Sequence, residues 1–349
     1  MMFSNVLTSD RRGRAATATA TLLVAGLAAS GFAAAPAQAA SVENPIMVGA
    51  VGAGKQMILD HEAVVGERVN GLRVYKMWDS WLFNKDHQWA RDTGHTLFLS
   101  IRSQRLDKSV VKWNAIAAAQ PGDRLYDDML NQARQIKNFG AKVYIVFNHE
   151  PEAGQADPMG SSLAAKPAEY VAAWRKVIGI YRTAGVTNAE YVFTATARGF
   201  NRSDVRDARP FYPGDAWVDH IASDGYNWGT CRNPNERWRG MAGIIGGHRK
   251  FGELHPTKSL MLLEWGSAED ANDPMRKARW INDVQALFKQ SAYDQFSVLL
   301  QWQGRNIPAD NNLGCRFDYA SSTAAQQAWA KLERDPAYSA TAVPTRPLF

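Results

Sequence analysis

The chain has 349 residues, and its 40 Lys and Arg exceed its 34 Asp and Glu by six at pH 7. The excess is modest and no block of like charge stands out, so a nucleic-acid-binding surface is not indicated. The two cysteines, Cys231 and Cys315, lie in polar segments without neighbours at metal-ligand spacing. A structural zinc site is therefore not expected either.

The N-terminus has the pattern of a secretory signal peptide. Arg11, Arg12 and Arg14 precede an Ala-rich, weakly apolar stretch over residues 15–35, which Ala37-Gln38-Ala39 closes as a cleavage site. A membrane anchor fits this weakly apolar run less well, and no later stretch reaches the roughly 18 apolar residues of a spanning helix. We predict a signal peptide over residues 1–39 and export by the general or the twin-arginine route.

Export changes what is expected of the two cysteines and of the mature chain. In an oxidising compartment Cys231 and Cys315 are expected to form a disulfide. The predicted leader carries three Arg and one Asp, so the remainder has a net charge near +4. The roughly 310 remaining residues suit one α/β barrel, and we predict a single domain over residues 41–349.

Eight apolar runs alternate with amphipathic helical patterns, which is typical of parallel βαβ units. The predicted strands are 46–51, 71–77, 96–101, 142–149, 189–195, 218–226, 259–264 and 296–301. Helices are predicted over residues 167–184 and 274–290, and a final helix over 322–332 completes the eighth unit. Eight strands with eight crossovers favour a (β/α)8 TIM barrel over an open sheet.

Two glutamates follow apolar strands of this predicted barrel. Glu150 closes the fourth strand and Glu264 closes the seventh. Active sites of such barrels lie at the carboxyl ends of the strands, where two carboxylates can converge on one bond. Each alone could be a surface or ion-paired glutamate, but a pair suits glycoside hydrolysis, one as acid/base and one as nucleophile. Glu152 is the competing carboxylate, expected in the following loop.

Two polar neighbours have roles beside this pair. His149 precedes Glu150 and is expected to contact sugar hydroxyls or hold the carboxylate, although a packed core histidine is the competing interpretation. Tyr226 ends the sixth strand, where its hydroxyl could hydrogen-bond Glu264 and favour its ionised form.

Several of the 12 tryptophans fall at or just beyond predicted strand ends. Trp302, Trp228 and Trp78 are candidate sugar-binding platforms, because an indole offers a large flat apolar surface. Trp81 and Trp265 follow strand ends in the same way.

Other chemistries find less support. His149 and Glu150 could serve as metal ligands, but no H-E-x-x-H or Cys-rich pattern occurs, so neither a metal nor another cofactor is predicted. A serine nucleophile is weaker still, because no G-x-S-x-G segment is present.

Four short motifs now carry a family resemblance. In chain order they are Phe147-Asn148-His149-Glu150, Asp215-Ala216-Trp217-Val218-Asp219, Asp224-Gly225-Tyr226-Asn227 and Glu264-Trp265-Gly266. With them the chain resembles the retaining glycoside hydrolases of clan A, and within that clan glycoside hydrolase family 26. The resemblance implies Glu150 as acid/base, Glu264 as nucleophile and Tyr226 as the hydrogen-bond partner of Glu264.

One departure affects the substrate more than the mechanism. Characterised mannanases of the family follow His-Glu with a polar, Trp-rich loop, whereas Pro151-Glu152-Ala153-Gly154 stands here. The resemblance implies a secreted, monomeric endo-β-glycanase acting on β-linked polysaccharide, with β-1,4-mannan first and β-1,3/1,4-glucan or β-xylan as alternatives. No nucleic-acid or membrane partner is expected. A barrel that binds polysaccharide without cutting it stays open, and a structural or adhesion protein is disfavoured because repeats and anchors are lacking.

Overall fold

A computed structural model describes residues 44–153, 166–231, 235–306 and 315–344. The predicted signal peptide, residues 1–39, lies outside the described residues. Within the described ranges, no helix is long and apolar enough to cross a membrane.

Eight parallel strands close into a barrel in which β1 pairs with both β2 and β8. The strands are β1 (Met47–Val51), β2 (Gly71–Lys76), β3 (Thr96–Ile101), β4 (Val143–Phe147), β5 (Ala189–Thr196), β6 (His220–Asn227), β7 (Ser259–Ser267) and β8 (Phe296–Trp302). Most of their side chains are buried, as expected of strands covered on both faces. The predicted TIM barrel is confirmed. A short antiparallel pair, β9 (Arg305–Asn306) and β10 (Cys315–Arg316), follows β8.

Helices surround the barrel. They are α1 (Lys55–Val65), α2 (Lys85–Asp92), α3 (Trp113–Ala118), α4 (Arg124–Phe139), α5 (Pro167–Thr183), α6 (Met241–Glu253), α7 (Arg276–Leu287) and α8 (Thr323–Glu333). The predictions for α5 and α8 hold to within a residue. Helix α7 begins later than predicted, because the Asp273 side chain accepts the amide of Met275 and holds a turn ahead of the helix. The connection from β5 to β6, all of it described, contains short 3₁₀ turns instead of an α-helix.

The barrel interior changes character along its axis. Apolar side chains such as Phe98 and Tyr144, whose rings stack at 4.8 Å, fill its middle. Toward the carboxyl ends, inward positions become polar. On β2, Leu72 and Val74 pack into the outer layer, whereas Arg73 contacts residues across the interior. The polar end of the interior is the floor of the candidate site.

Candidate active site

Glu264 faces the barrel interior because β7 carries a β-bulge. Ser223 of β6 pairs with Leu262, and the next residue, Asp224, pairs with Glu264, so Leu263 is the extra residue. Leu263 packs in the interior, and regular alternation would turn the following side chain outward. The bulge resets the alternation and directs Glu264 inward as well.

Three donors reach the Glu264 carboxylate. The Tyr75 hydroxyl donates to Oε1, and Arg73 Nη1 lies 3.1 Å from the same oxygen. The Tyr226 hydroxyl donates to Oε2 at 2.5 Å, which is the contact expected from the sequence. These contacts hold both oxygens of the Glu264 carboxyl group in place.

A buried guanidinium lies beneath this carboxylate. Arg73 is 1% exposed, and its Nη1 also lies 2.9 Å from Asp224 Oδ1. Its Nε donates to Ser100 Oγ at 2.9 Å, so β3 helps to fix its position. Burial raises the pKa of Asp224 well above its ordinary value, although the Arg73 charge acts in the opposite direction.

A metal ion has a conceivable ligand set here. Single ligand atoms of His149, Asp224 and Glu264 lie within 4.8 Å of one another. However, Arg73 contacts both carboxylates and supplies the positive charge that a cation would otherwise bring. The two acidic side chains are therefore better described as partners of Arg73 than as metal ligands.

Glu150 sits on irregular backbone beyond β4. The strand ends at Phe147, two residues short of the predicted end, because Asn148 and Glu150 both adopt left-handed backbone conformations (φ +43° and +52°). Neighbouring strands hold this segment: the Asn148 amide donates to Ile101 O and the Glu150 amide to Thr194 O. Such conformations cost about 1–3 kcal/mol each and concentrate at functional sites.

The environment of Glu150 suits an acid. Burial raises its pKa well above the ordinary value, and the charges of Asp224, Glu264 and Glu152 raise it further. The protonated form is therefore favoured in Glu150. The carboxyl separation of about 5–5.5 Å that a retaining pair requires stays a prediction.

His149 is a buried histidine that directly precedes Glu150. Its side chain is 9% exposed, and its ring centroid lies 5.3 Å from that of Tyr75. Burial lowers its pKa well below the ordinary value, and the charges of Arg73 and Arg102 lower it further. Its Nδ1 is buried and has no hydrogen-bond partner among the described residues. A buried ring nitrogen without a partner calls for an explanation, and a ligand group is one candidate.

Glu152 lies in the turn after β4, as expected, but it is buried. Its Oε1 accepts from the amide and hydroxyl of Thr196 at 2.6 and 2.7 Å, whereas its Oε2 has no partner among the described residues. Gly199 makes room for this carboxyl group, since a Cβ there would lie 2.5 Å from Oε1. Burial raises the pKa of Glu152 to about 7. The residues that follow Ala153 in this loop lie outside the described ranges.

Of the predicted aromatic platforms, two line the mouth. Trp302 ends β8, is partly exposed, and meets Tyr75 edge to face at 6.4 Å. Trp228 is also partly exposed and packs 5.4 Å from Tyr226 and 5.0 Å from Phe317.

The prediction that Trp78 contacts substrate is wrong. Its side chain is 0% exposed, packs edge to face against Phe147 and donates to Asp128 of α4. It therefore belongs to the layer between the strands and the helices. Trp265 is likewise buried against Trp280 and Trp329. Strand-end position alone did not reveal which way these rings face.

The predicted disulfide between Cys231 and Cys315 is confirmed, with the two Cα atoms 5.4 Å apart. It joins the segment that follows β6, which contains Cys231, to β10, which begins at Cys315. The bridge packs with Phe317 and Ala268, and Trp228 and Trp302 pack against this cluster. The disulfide therefore supports the aromatic wall of the mouth.

Sequence reasoning missed Arg73 and Tyr75. A signal was present, since a basic and a phenolic residue two positions apart interrupt an otherwise apolar strand and must share a face. Their partner Glu264 is nearly 190 residues away in the chain, and only barrel closure brings β2 across from β7. Asp224 stood in a recognised motif without an assigned role.

Comparison with known sequences gives a partial match. No protein-family model matches the chain. Endoglucanase H of Acetivibrio thermocellus is 30% identical over 159 residues, which is 44% of this chain but only 16% of that protein. The chain therefore spans a small part of the curated relative that it matches.

Solved structures match over most of the barrel. A family 26 β-mannanase from Bacteroides ovatus superposes with a TM-score of 0.58 and 17% identity, covering 85% of this chain and 90% of that one. The catalytic domain of a family 26 endo-β-1,4-mannanase from Bacillus sp. JAMB-750 gives 0.58 and 14%, with 87% and 90% covered. The family 26 domain of a Prevotella bryantii endo-β-mannanase/endo-β-glucanase gives 0.55 and 14%, with 85% and 90% covered. The fold is that of the family 26 glycoside hydrolases.

Proposed function

We propose that the protein is a retaining endo-β-glycanase in which Glu150 is the acid/base and Glu264 the nucleophile. The observation that carries this proposal is the contrast between two glutamates at one mouth. Burial and neighbouring charges raise the pKa of Glu150, whereas Tyr75, Tyr226 and Arg73 converge on Glu264. The partial match to an endoglucanase and the shared fold of family 26 mannanases support the same class of reaction.

The first step forms a glycosyl-enzyme. A Glu264 oxygen attacks the anomeric carbon while Glu150 donates its proton to the departing glycosidic oxygen, so the leaving chain departs as an alcohol. The ester bond removes the negative charge of Glu264, and this removes one of the charges that raise the pKa of Glu150. Tyr226 then keeps its hydroxyl near the ester oxygen and helps to hold the geometry.

The second step returns the enzyme to its starting state. Glu150, now a carboxylate, accepts a proton from a water molecule that attacks the anomeric carbon. The bond to Glu264 breaks, and the sugar leaves with its original anomeric configuration. His149, whose ring is neutral, binds a hydroxyl of the sugar throughout.

For the substrate we propose β-linked polysaccharide, with β-1,4-mannan the first to test because several structures of this fold are named as mannanases. Mixed-linkage β-glucan is the second, since the curated relative is named an endoglucanase, and β-xylan is the third. We also propose that the protein is exported and monomeric, and that Trp302 and Trp228 bind the sugar chain. The Cys231–Cys315 disulfide supports an oxidising destination.

A reducing-end assay on β-mannan, mixed-linkage β-glucan and β-xylan, with product lengths resolved, tests this proposal. Cleavage of one polymer into short oligosaccharides is expected, together with loss of activity in Glu264→Gln. Glu67→Gln is the matched control, because Glu67 is an exposed glutamate. Binding of a polymer without any release of reducing ends would instead support the non-catalytic barrel.

A further inference from the structure

Arg102 is an arginine at the barrel mouth that the two-glutamate mechanism does not use. It is the first residue after β3, and its amide donates to Lys76 O of β2 at 2.8 Å. Phe98 and Ser100 face the interior on the same strand, since Phe98 stacks on Tyr144 and Ser100 accepts from Arg73. Alternation continues this inward face to Arg102, one layer above Ser100.

The side chain of Arg102 lies beside the candidate catalytic residues. Its guanidinium carbon is 6.0 Å from the ring centroid of Tyr75, whose hydroxyl donates to Glu264. Its charge also contributes to lowering the pKa of His149. Arg102 is partly exposed although its Nε is buried, so a ligand can reach part of its side chain.

Arg102 is not matched by an acidic side chain. Across the described ranges it takes part in no ion pair, and its buried Nε has no hydrogen-bond partner. Two other arginines, on β2 and shortly after β3, differ in this respect. Arg73 pairs with Asp224 and Glu264, and Arg105 pairs with Asp79 and Asp128. A buried donor without a partner calls for an explanation, and a ligand group is one.

Among the charged groups around the pocket, Arg102 has a positive charge that no described acidic side chain pairs with. Arg73 is already paired with Asp224 and Glu264, Glu150 favours its protonated form, and His149 favours its neutral form. A guanidinium presents a planar fork of donors that matches a carboxylate with two parallel hydrogen bonds. We propose that Arg102 binds a carboxylate on the substrate, so that the preferred substrate is a β-linked glycan containing uronic acid. This inference rests on the proposed function and narrows its substrate class.

The test uses pairs of substrates that differ only at C6. β-1,4-Manno- and β-1,4-gluco-oligosaccharides are compared with their C6-oxidised counterparts, in which a carboxylate replaces the hydroxymethyl group. The wild-type enzyme is expected to show at least a tenfold higher kcat/KM on one oxidised oligosaccharide than on its neutral partner. Arg102→Gln should bring this ratio close to one, and Arg102→Lys should give an intermediate ratio because it keeps the charge and loses the fork. Added salt should reduce the wild-type ratio.

Arg134→Gln is the matched control, since Arg134 is an exposed arginine of α4, and it should leave the ratio unchanged. A wild-type ratio of one or less, or a ratio that Arg102→Gln does not alter in a folded variant, would overturn the inference. Calorimetric binding of the same oligosaccharides separates the two proposals. Arg102-dependent binding of the oxidised form without any hydrolysis would reject the glycanase and keep the carboxylate site. Equal or absent binding of both forms would reject the site.

Discussion

The unusual carboxyl group of Glu152 predicts how stability changes with pH. Burial raises its pKa from 4.5 to about 7, so the folded chain holds a proton on Glu152 between these values while the unfolded chain does not. Stability falls with pH wherever the folded state binds more protons. The contribution of this group is therefore present below about pH 4.5 and is lost as pH rises through about 7.

The size of the effect follows from the two pKa values. A difference from 4.5 to about 7 corresponds to about 3 kcal/mol of unfolding free energy, at about 1.4 kcal/mol per pH unit. Glu152→Gln removes the titration but keeps an oxygen that can accept both hydrogen bonds from Thr196. The variant should therefore lose less stability than the wild type between pH 4.5 and 8, by about 2–4 kcal/mol.

Urea unfolding at half-unit pH intervals measures this difference. Subtracting the wild-type curve from the variant curve removes the contributions of other titrating groups, and Glu67→Gln should run parallel to the wild type. Parallel curves for Glu152→Gln and wild type would refute the reasoning, because Glu152 would then titrate alike in both states. In an activity assay, kcat/KM of the same variant should begin to fall at a lower alkaline pH than in the wild type. The reason is that the Glu152 charge helps to raise the pKa of Glu150, and the variant lacks this charge.

Three further predictions concern the two glutamates, Trp302 and the disulfide. Glu264→Ala should lose turnover on every substrate, whereas Glu150→Ala should still cleave an activated aryl glycoside and, with azide, give a β-glycosyl azide; an α product would reverse the roles or imply inversion. Trp302→Ala should lower kcat/KM at least tenfold with little change in Tm, because the ring is partly exposed; unchanged kinetics on polymer would return it to a packing role. Replacing Cys231 and Cys315 with serine should cost up to about 4.6 kcal/mol in unfolding free energy for a bridge spanning 84 residues, and an unchanged denaturation midpoint would count against this.

The barrel could be predicted from sequence because its strands are continuous apolar runs. The strand β3 was placed correctly at both ends, and most others to within two residues. Errors occurred where backbone irregularity overrides the apolar pattern. Asn148 and Glu150 end β4 early through left-handed conformations, which no periodicity signals. In the opposite direction, β7 continues to Ser267, past the polar residue that was taken as its end.

The candidate site was predictable only in part. Glu150, Glu264 and Tyr226 could be proposed because each ends a predicted strand of recognisable type. Arg73 and Tyr75 could not be matched to Glu264, because the alternation of β2 says which face they share and not what lies opposite. Residues beyond a strand end, such as Trp78, do not follow the inward and outward alternation of strand side chains. The direction of their side chains therefore depends on tertiary packing.

The proposed roles of Glu150 and Glu264 are not interchangeable, because different parts of the fold form the surroundings of each carboxyl group. Glu264 is directed inward by a bulge into a strand-held set of donors, and its charge offsets part of the buried charge of Arg73. Glu150 lies on irregular backbone beyond β4, and its amide donates to Thr194 O of β5. Glu150→Gln would therefore leave the charge balance of the floor intact and remove only the transferable proton. Glu264→Gln would instead leave Arg73 with Asp224 as its remaining acidic partner, so this variant should lose stability as well as activity.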